Sequence, residues 1–325
     1  MERGGEAGQH QAGLSAVPAA SSPPSPPRPP LREPAPHSAG LARPAFRLPA
    51  LACDSHMHVF DPRFPPSPHW TRRPPDAPVA AYRRLQERLG TARAVVVTPS
   101  TYGTDNACTL DALRRLGDGA RGVAVVDAGV PAAELDRLAA HGVRGLRVNF
   151  VTPQSWGTTT PEMLTALAAK AARLGWHIQV FMHPEQIAAL EPVLARLPVP
   201  LVIDHLGRID PARGADAGAF GAVRRLLDGG NAWVKLSGAY MRSAAGGPGY
   251  ADTVPLGRAL VRAAPERLVW GSDWPHTTEA PGTVDDAALA DLLQDWCADA
   301  PGAADRILVD NPARLYGFDA APAAA

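Results

Sequence analysis

Asp54-Ser55-His56-Met57-His58 follows Leu48-Pro49-Ala50-Leu51-Ala52, where a long proline-rich stretch gives way to a foldable pattern. Side chains alternate across a β-strand, so His56 and His58 point the same way. On the first strand of a (β/α)8 barrel that direction is inward, near the strand ends where such barrels keep their active sites. Two neighbouring imidazoles can bind a metal or donate hydrogen bonds to a carbonyl. By itself His-x-His fits a purely structural role equally well. The rest of the chain tips the balance, because it places His205 and Asp273 at the ends of later strands.

Eight β-rich runs follow one another, at 52–60, 92–98, 122–127, 143–150, 177–182, 201–205, 232–237 and 268–272. Helical stretches lie between them, at 79–89, 109–116, 132–141, 161–174, 184–195, 219–227 and 254–263, and a last long helix starts near Asp286. Strands and helices alternating at this spacing read as βα units around a parallel sheet. Eight units predict a closed α/β barrel. No Gly-x-Gly-x-x-Gly follows the first strand, so a dinucleotide-binding open sheet is unsupported. Thr160-Pro161 and His183-Pro184 read as helix starts, and Asp310-Asn311-Pro312 as a capped start of a short closing helix. The loop 61–78 carries Trp70, Arg72 and Arg73 and is expected to shape the mouth of the site.

Residues 1–47 are rich in Pro, Ala, Ser and Gly and are expected to be a disordered tail. The barrel is then 48–319, with a flexible end at 320–325. The 325 residues hold 32 basic and 32 acidic side chains, so no net charge favours nucleic acid or an acidic membrane surface. Cys53, Cys108 and Cys297 form no pair spaced for a zinc ribbon or a disulfide framework. No apolar run is long enough for a bilayer span and no signal-peptide core is present, so a cytoplasmic protein is expected. Homo-oligomerisation is compatible with all of this.

Alternation puts Gly145, Arg147 and Asn149 on the inner face of the fourth strand, Gln179 and Phe181 on the fifth, His205 on the sixth, Lys235 and Ser237 on the seventh and Asp273 after the eighth. An ordinary core does not gather so many polar groups, because buried charge is costly unless paired. Their convergence points to a site.

Here a resemblance enters. Cys53-Asp54-Ser55-His56-Met57-His58, Arg144-Gly145-Leu146-Arg147-Val148-Asn149, Asp204-His205-Leu206-Gly207-Arg208, Lys235-Leu236-Ser237-Gly238 and Trp270-Gly271-Ser272-Asp273-Trp274-Pro275-His276 resemble the amidohydrolase superfamily. They are most similar to its 2-pyrone-4,6-dicarboxylate lactonase and sugar-lactonase group, which implies a distorted (β/α)8 barrel and a place in aromatic or sugar-acid catabolism. The resemblance implies a lactonase in which Asp273 is the general base and His56, His58 and His205 polarise the carbonyl. It implies that Arg208, Arg147, Arg242, Ser100, Tyr102 and Gln179 bind the substrate. The binuclear members' bridging Lys or Glu on strand four and His on strand five are replaced here by Arg147, Asn149 and Gln179. Either no metal is required, or one divalent ion, zinc first, sits on His56, His58 and Asp273. A zinc-dependent decarboxylase and a sugar-lactone isomerase are the alternatives on this scaffold. No arginine occurs between Arg147 and Arg173, and Phe181 stands where the pyrone enzyme's tyrosine is expected. A monocarboxylated or muconolactone-like ring is therefore expected, rather than the pyrone dicarboxylate.

Overall fold

A computed structural model describes Met1 and residues 32–216 and 218–319. The expectations for most of the tail and for 320–325 lie outside the described residues. The strands are β1 Cys53–Met57, β2 Arg93–Val97, β3 Ala120–Ala124, β4 Val143–Asn149, β5 His177–Phe181, β6 Leu201–Ile203, β7 Ala232–Leu236 and β8 Leu268–Trp270. They form one sheet in chain order with every neighbouring pair parallel. The chain after β8 returns to β1. Asp273 N donates to His56 O at 2.8 Å, and His58 N donates to Trp274 O at 2.8 Å. The result is the expected barrel.

Asp54 holds this seam. Its carboxylate accepts from Ser272 N at 2.9 Å, Ser272 Oγ at 2.6 Å, Tyr82 OH at 3.0 Å and His56 N at 3.2 Å. Burial pushes Asp54 up to about 6, against the lowering effect of these bonds. Two β1 residues, Ser55 and His56, stand opposite one β2 residue, because Asp54 pairs with Ala94 and Met57 with Val96. This bulge reverses the alternation. Cys53 faces the barrel interior with Val95, Val97, Val123, Val202 and Val269, below His56, while Met57 packs outward. Tyr316 and Phe318 plug that apolar floor. Gly271 lets β1 and β8 approach, since a Cβ there would lie 2.7 Å from His56 Cβ.

Eight helices flank the strands: α1 Val79–Leu89, α2 Ala107–Leu116, α3 Ala132–Ala140, α4 Pro161–Ala172, α5 Pro184–Leu194, α6 Gly218–Asp228, α7 Val254–Ala263 and α8 Asp286–Cys297. Leu85, Leu113, Leu135, Leu164, Leu167 and Leu260 meet the outward faces of the strands in one apolar layer. Thr160 Oγ1 caps α4 through Met163 N, and Asp285 caps α8 through Ala287 N. The closing helix, Asn311–Tyr316, is not capped as expected. Asn311 instead donates to Pro265 O and Leu268 O, tying that helix to the start of β8. No helix among the described residues is long and apolar enough to cross a membrane.

The expected boundary at 47/48 needs correction, because residues 32–47 are seated on the barrel. Pro36 O accepts from Trp274 Nε1 at 2.7 Å. The buried Arg88 of α1 donates to Ser38 Oγ, Ala39 O and Ala42 O and pairs with Asp285 at 2.6 Å. Asp291 of α8 accepts from Ala45 N at 2.7 Å. The anchors are mostly backbone carbonyls meeting a buried cation, which a composition that looks disordered does not disclose.

This strap generates a stability prediction. A chain starting at residue 48 is expected to be less stable than one starting at residue 32 by about 3 kcal/mol, since hydrogen bonds to charged groups contribute roughly 1.5–3 kcal/mol each and water restores part of the loss. Urea unfolding of the two chains measures the difference, and equal midpoints would refute a structural strap.

Candidate active site

The centre lies over the β-bulge, at the C-terminal end of the barrel. Asp273 Oδ1 stands 3.5 Å from His56 Nε2, 3.4 Å from His58 Nε2 and 3.9 Å from His205 Nε2. Tyr240 OH donates to Asp273 Oδ2 at 2.5 Å. That hydroxyl occupies one carboxylate oxygen and leaves Oδ1 facing the imidazoles. Burial raises the Asp273 carboxyl, but His205, His58 and His56 outweigh it and hold the group well below the usual range. Burial lowers His205 and, with the Lys235 charge, lowers His56 far more. The four side chains expected at the centre are thus together, with Asp273 ionised.

Several of these residues sit in strained backbone. His205, Leu206 and Arg208 have φ of 53°, 54° and 51°, and Asp273 has 61°. Non-glycine residues in this region cost roughly 1 kcal/mol or more each, and such strain concentrates at functional sites. The left-handed turn after β6 lets consecutive residues, Asp204 and His205, both face the centre. Asp204 Oδ2 accepts from Arg147 Nε and Gln179 Nε2, each at 3.2 Å.

Arg147 and Gln179 therefore serve Asp204, and Arg147 keeps two terminal nitrogens that make no hydrogen bond among the described residues. Ser100 Oγ accepts from Asn149 Nδ2 at 3.0 Å. Tyr102 is set back, packing on Phe60 and accepting from Asp61 N at 3.2 Å. Arg208 lies over the Phe181 ring at 4.9 Å, with Arg147 at 5.1 Å from the same ring. Arg208 Nε is buried with no protein partner. Burial and the nearby Arg242 lower the Arg208 guanidinium. Glu185 opposes that lowering.

On the opposite side, over β1, β2 and β8, a cavity of about 220 Å³ is lined by Phe60, Trp70, Arg72, Thr101, His276 and His37. The 61–78 loop lines this cavity with Trp70 and Arg72, and the strap adds His37; His56, His58, His205 and Asp273 do not line it. Sequence reasoning missed Asp204, Tyr240 and His276 as site residues and left Lys235 without a role. Asp204 was legible, since alternation from the inward Val202 reaches it directly. Tyr240 and His276 lie in loops, where no periodicity marks them.

His56, His58 and Asp273 present ligand atoms within 4.8 Å of one another, as do His56, Asp204 and His205. Two imidazoles and a carboxylate are a zinc-type donor set. His58 Nδ1 bonds Val97 O at 2.8 Å, which turns a lone pair on Nε2 to the centre. These residues fit one divalent ion.

Residues 53–318 match the amidohydrolase family. A 2-pyrone-4,6-dicarboxylate hydrolase of Comamonas testosteroni is 36% identical over 285 residues, covering 85% of this chain and 93% of that protein. A 4-sulfomuconolactone hydrolase of Rhizobium radiobacter is 36% identical over 277 residues, covering 84% and 92%. A solved apo structure from Agrobacterium tumefaciens shares 31% identity with a TM-score of 0.77, covering 86% of this chain and all of that one. With the match running from the first residue of β1 to the aromatic floor at Phe318, the chain belongs to the amidohydrolase family.

Proposed function

We propose that this protein hydrolyses the lactone ring of a small anionic substrate. The observation that carries the reading is Asp273 Oδ1 facing three imidazoles while Tyr240 holds the other oxygen. Asp273 takes a proton from water, and the hydroxide attacks the lactone carbonyl. His56 and His205 donate to the developing oxyanion. His58 turns its Nδ1 to Val97 O and its Nε2 to Asp273 Oδ1, beside which the attacking water is held. Asp273 then returns the proton to the leaving ring oxygen. One zinc ion on His56, His58 and Asp273 would supply Lewis-acid polarisation of the carbonyl.

Arg208 and Arg242 hold the substrate's anionic group, with the free end of Arg147 beside them. The two curated relatives are named for a pyrone dicarboxylate and a sulfonated muconolactone, both anionic lactones. The chain between Arg147 and Arg173 has no further arginine, which favours a muconolactone-like ring over the planar dicarboxylate.

Asp273→Asn is expected to keep the fold and lose about 100-fold or more in kcat, the scale for a general base. Retention of more than about a tenth of kcat would exclude that role. The assay follows acid release, which also separates hydrolysis from lactone isomerisation.

Across a panel of lactones, kcat/KM should be highest for a monocarboxylated or muconolactone-type ring. Arg208→Met should lower it by roughly tenfold or more, since a charged hydrogen bond contributes about 1.5–3 kcal/mol. A pyrone dicarboxylate as best substrate, or a harmless Arg208→Met, would overturn the assignment of the anion seat.

A further inference from the structure

His56 belongs to both metal-ligating groups found among the described residues, and its two ring nitrogens face different neighbours. Nε2 faces His58 Nε2 at 3.3 Å and Asp273 Oδ1 at 3.5 Å. Nδ1 faces Lys235 Nζ at 3.3 Å and Asp204 Oδ1 at 3.4 Å. A neutral ring has one proton to place. On Nδ1 it would point to Asp204, leaving the Nε2 lone pair against two other acceptors. That arrangement suits a cation and is repulsive without one. On Nε2 the proton is donated into the site, and the Nδ1 lone pair accepts from Lys235.

Three observations favour the second placement. Lys235 is wholly buried, its ammonium can only donate, and besides His56 it has Ser55 O at 2.8 Å. Asp204 Oδ1 accepts no aligned hydrogen bond despite its nearness, while Oδ2 takes Arg147 and Gln179. His58 turns its Nδ1 to Val97 O, and its Nε2 lies 3.3 Å from His56 Nε2, where it can accept a proton donated from that nitrogen.

We propose that Lys235 is a positioning residue that fixes His56 as the Nε2–H tautomer, holding the site in a hydrogen-bond-donating form against which zinc must compete. Lys235 Nζ stands between two acceptors, Ser55 O and His56 Nδ1, which is the arrangement its N–H donors require. The bulge in β1 is part of the device, since Ser55, one of its two residues, accepts from the ammonium through its carbonyl.

The kinetic consequence rests on the lactonase reading; the tautomer and zinc consequences do not. The test uses chelator-treated full-length protein with 15N-labelled histidine, the His56 signals assigned by a His56→Gln variant. The wild type should show His56 protonated at Nε2. Lys235→Met should move the proton to Nδ1 and raise zinc affinity by about tenfold or more, the scale for changing a ligand's outer partner, in competition with a chromophoric chelator. Zinc-free kcat on the best lactone should fall about 100-fold with KM little changed, as when one oxyanion donor is lost. A His56 protonated at Nδ1 in the wild type overturns the proposal, and this measurement stands even if Lys235→Met does not fold. An unchanged tautomer and zinc affinity in a folded Lys235→Met also overturn it. Loss of the kinetic effect alone, with the tautomer moved, counts against the lactonase reading.

Discussion

One carboxylate with no solvent contact closes the barrel. Asp54 accepts four hydrogen bonds, from the backbone of β1, from the backbone and hydroxyl of Ser272 and from Tyr82 of α1. A buried charge is tolerated only when it is fully satisfied, so this group is stable in one arrangement of the first and last strands. In that arrangement His56 and Asp273 come from opposite sides of the seam to within 3.5 Å. Gly271 removes the side chain that would keep them apart. Closing the fold and assembling the site are thus the same event.

Periodic features were legible before the structure and local departures from periodicity were not. The eight runs and the helices between them are patterns of burial repeated over many residues, and each appears close to its expected place. His56, His58, His205 and Asp273 were found because strand ends in such barrels converge. The bulge at Ser55–His56 was invisible, because strict alternation from Cys53 would turn both histidines outward and only pairing with β2 reveals the extra residue. The strap was missed for another reason. Its carbonyls do the anchoring, and every residue type has a carbonyl. The buried partner that makes it stick, Arg88, looks from sequence like any exposed helical arginine.

The interior divides by charge. Asp204 Oδ2 gathers Arg147 and Gln179 between β4, β5 and β6, while Asp204 Oδ1 and Gln179 Oε1 are buried with no hydrogen-bond partner among the described residues, and Asp273 faces the imidazoles and the Tyr240 hydroxyl. Arg147 and Arg208 both carry their guanidinium carbon within 5.1 Å of the Phe181 ring centre. Burying cations on an aromatic face limits their hydration, which strengthens any contact they make with an incoming anion. Behind Tyr240, His276 bonds Asp286 at 3.1 Å, and burial of that ring is outweighed by the carboxylate, so its pKa is raised. The carboxylate of α8 is thus linked through His276 and Tyr240 to the oxygen of Asp273 that does not face the imidazoles.

The strap also sets an order of events during synthesis. Pro36 and Trp274 are 238 residues apart, and Ala45 and Asp291 are 246 apart. The ribosome adds roughly 5–20 residues per second, so the segment waits about 10–50 s for its seat on α8 to be made. Through that interval Arg88 of α1 has Ser38, Ala39 and Ala42 in the emerged chain, but neither Asp285 nor Trp274 yet exists. Contacts of such long sequence separation form late, after the loop-closure cost has been met by the strands between them. Residues 36–45 therefore gain their contacts with Trp274 and α8 late, and a nascent chain stalled before β8 holds this segment through Arg88 alone among these anchors.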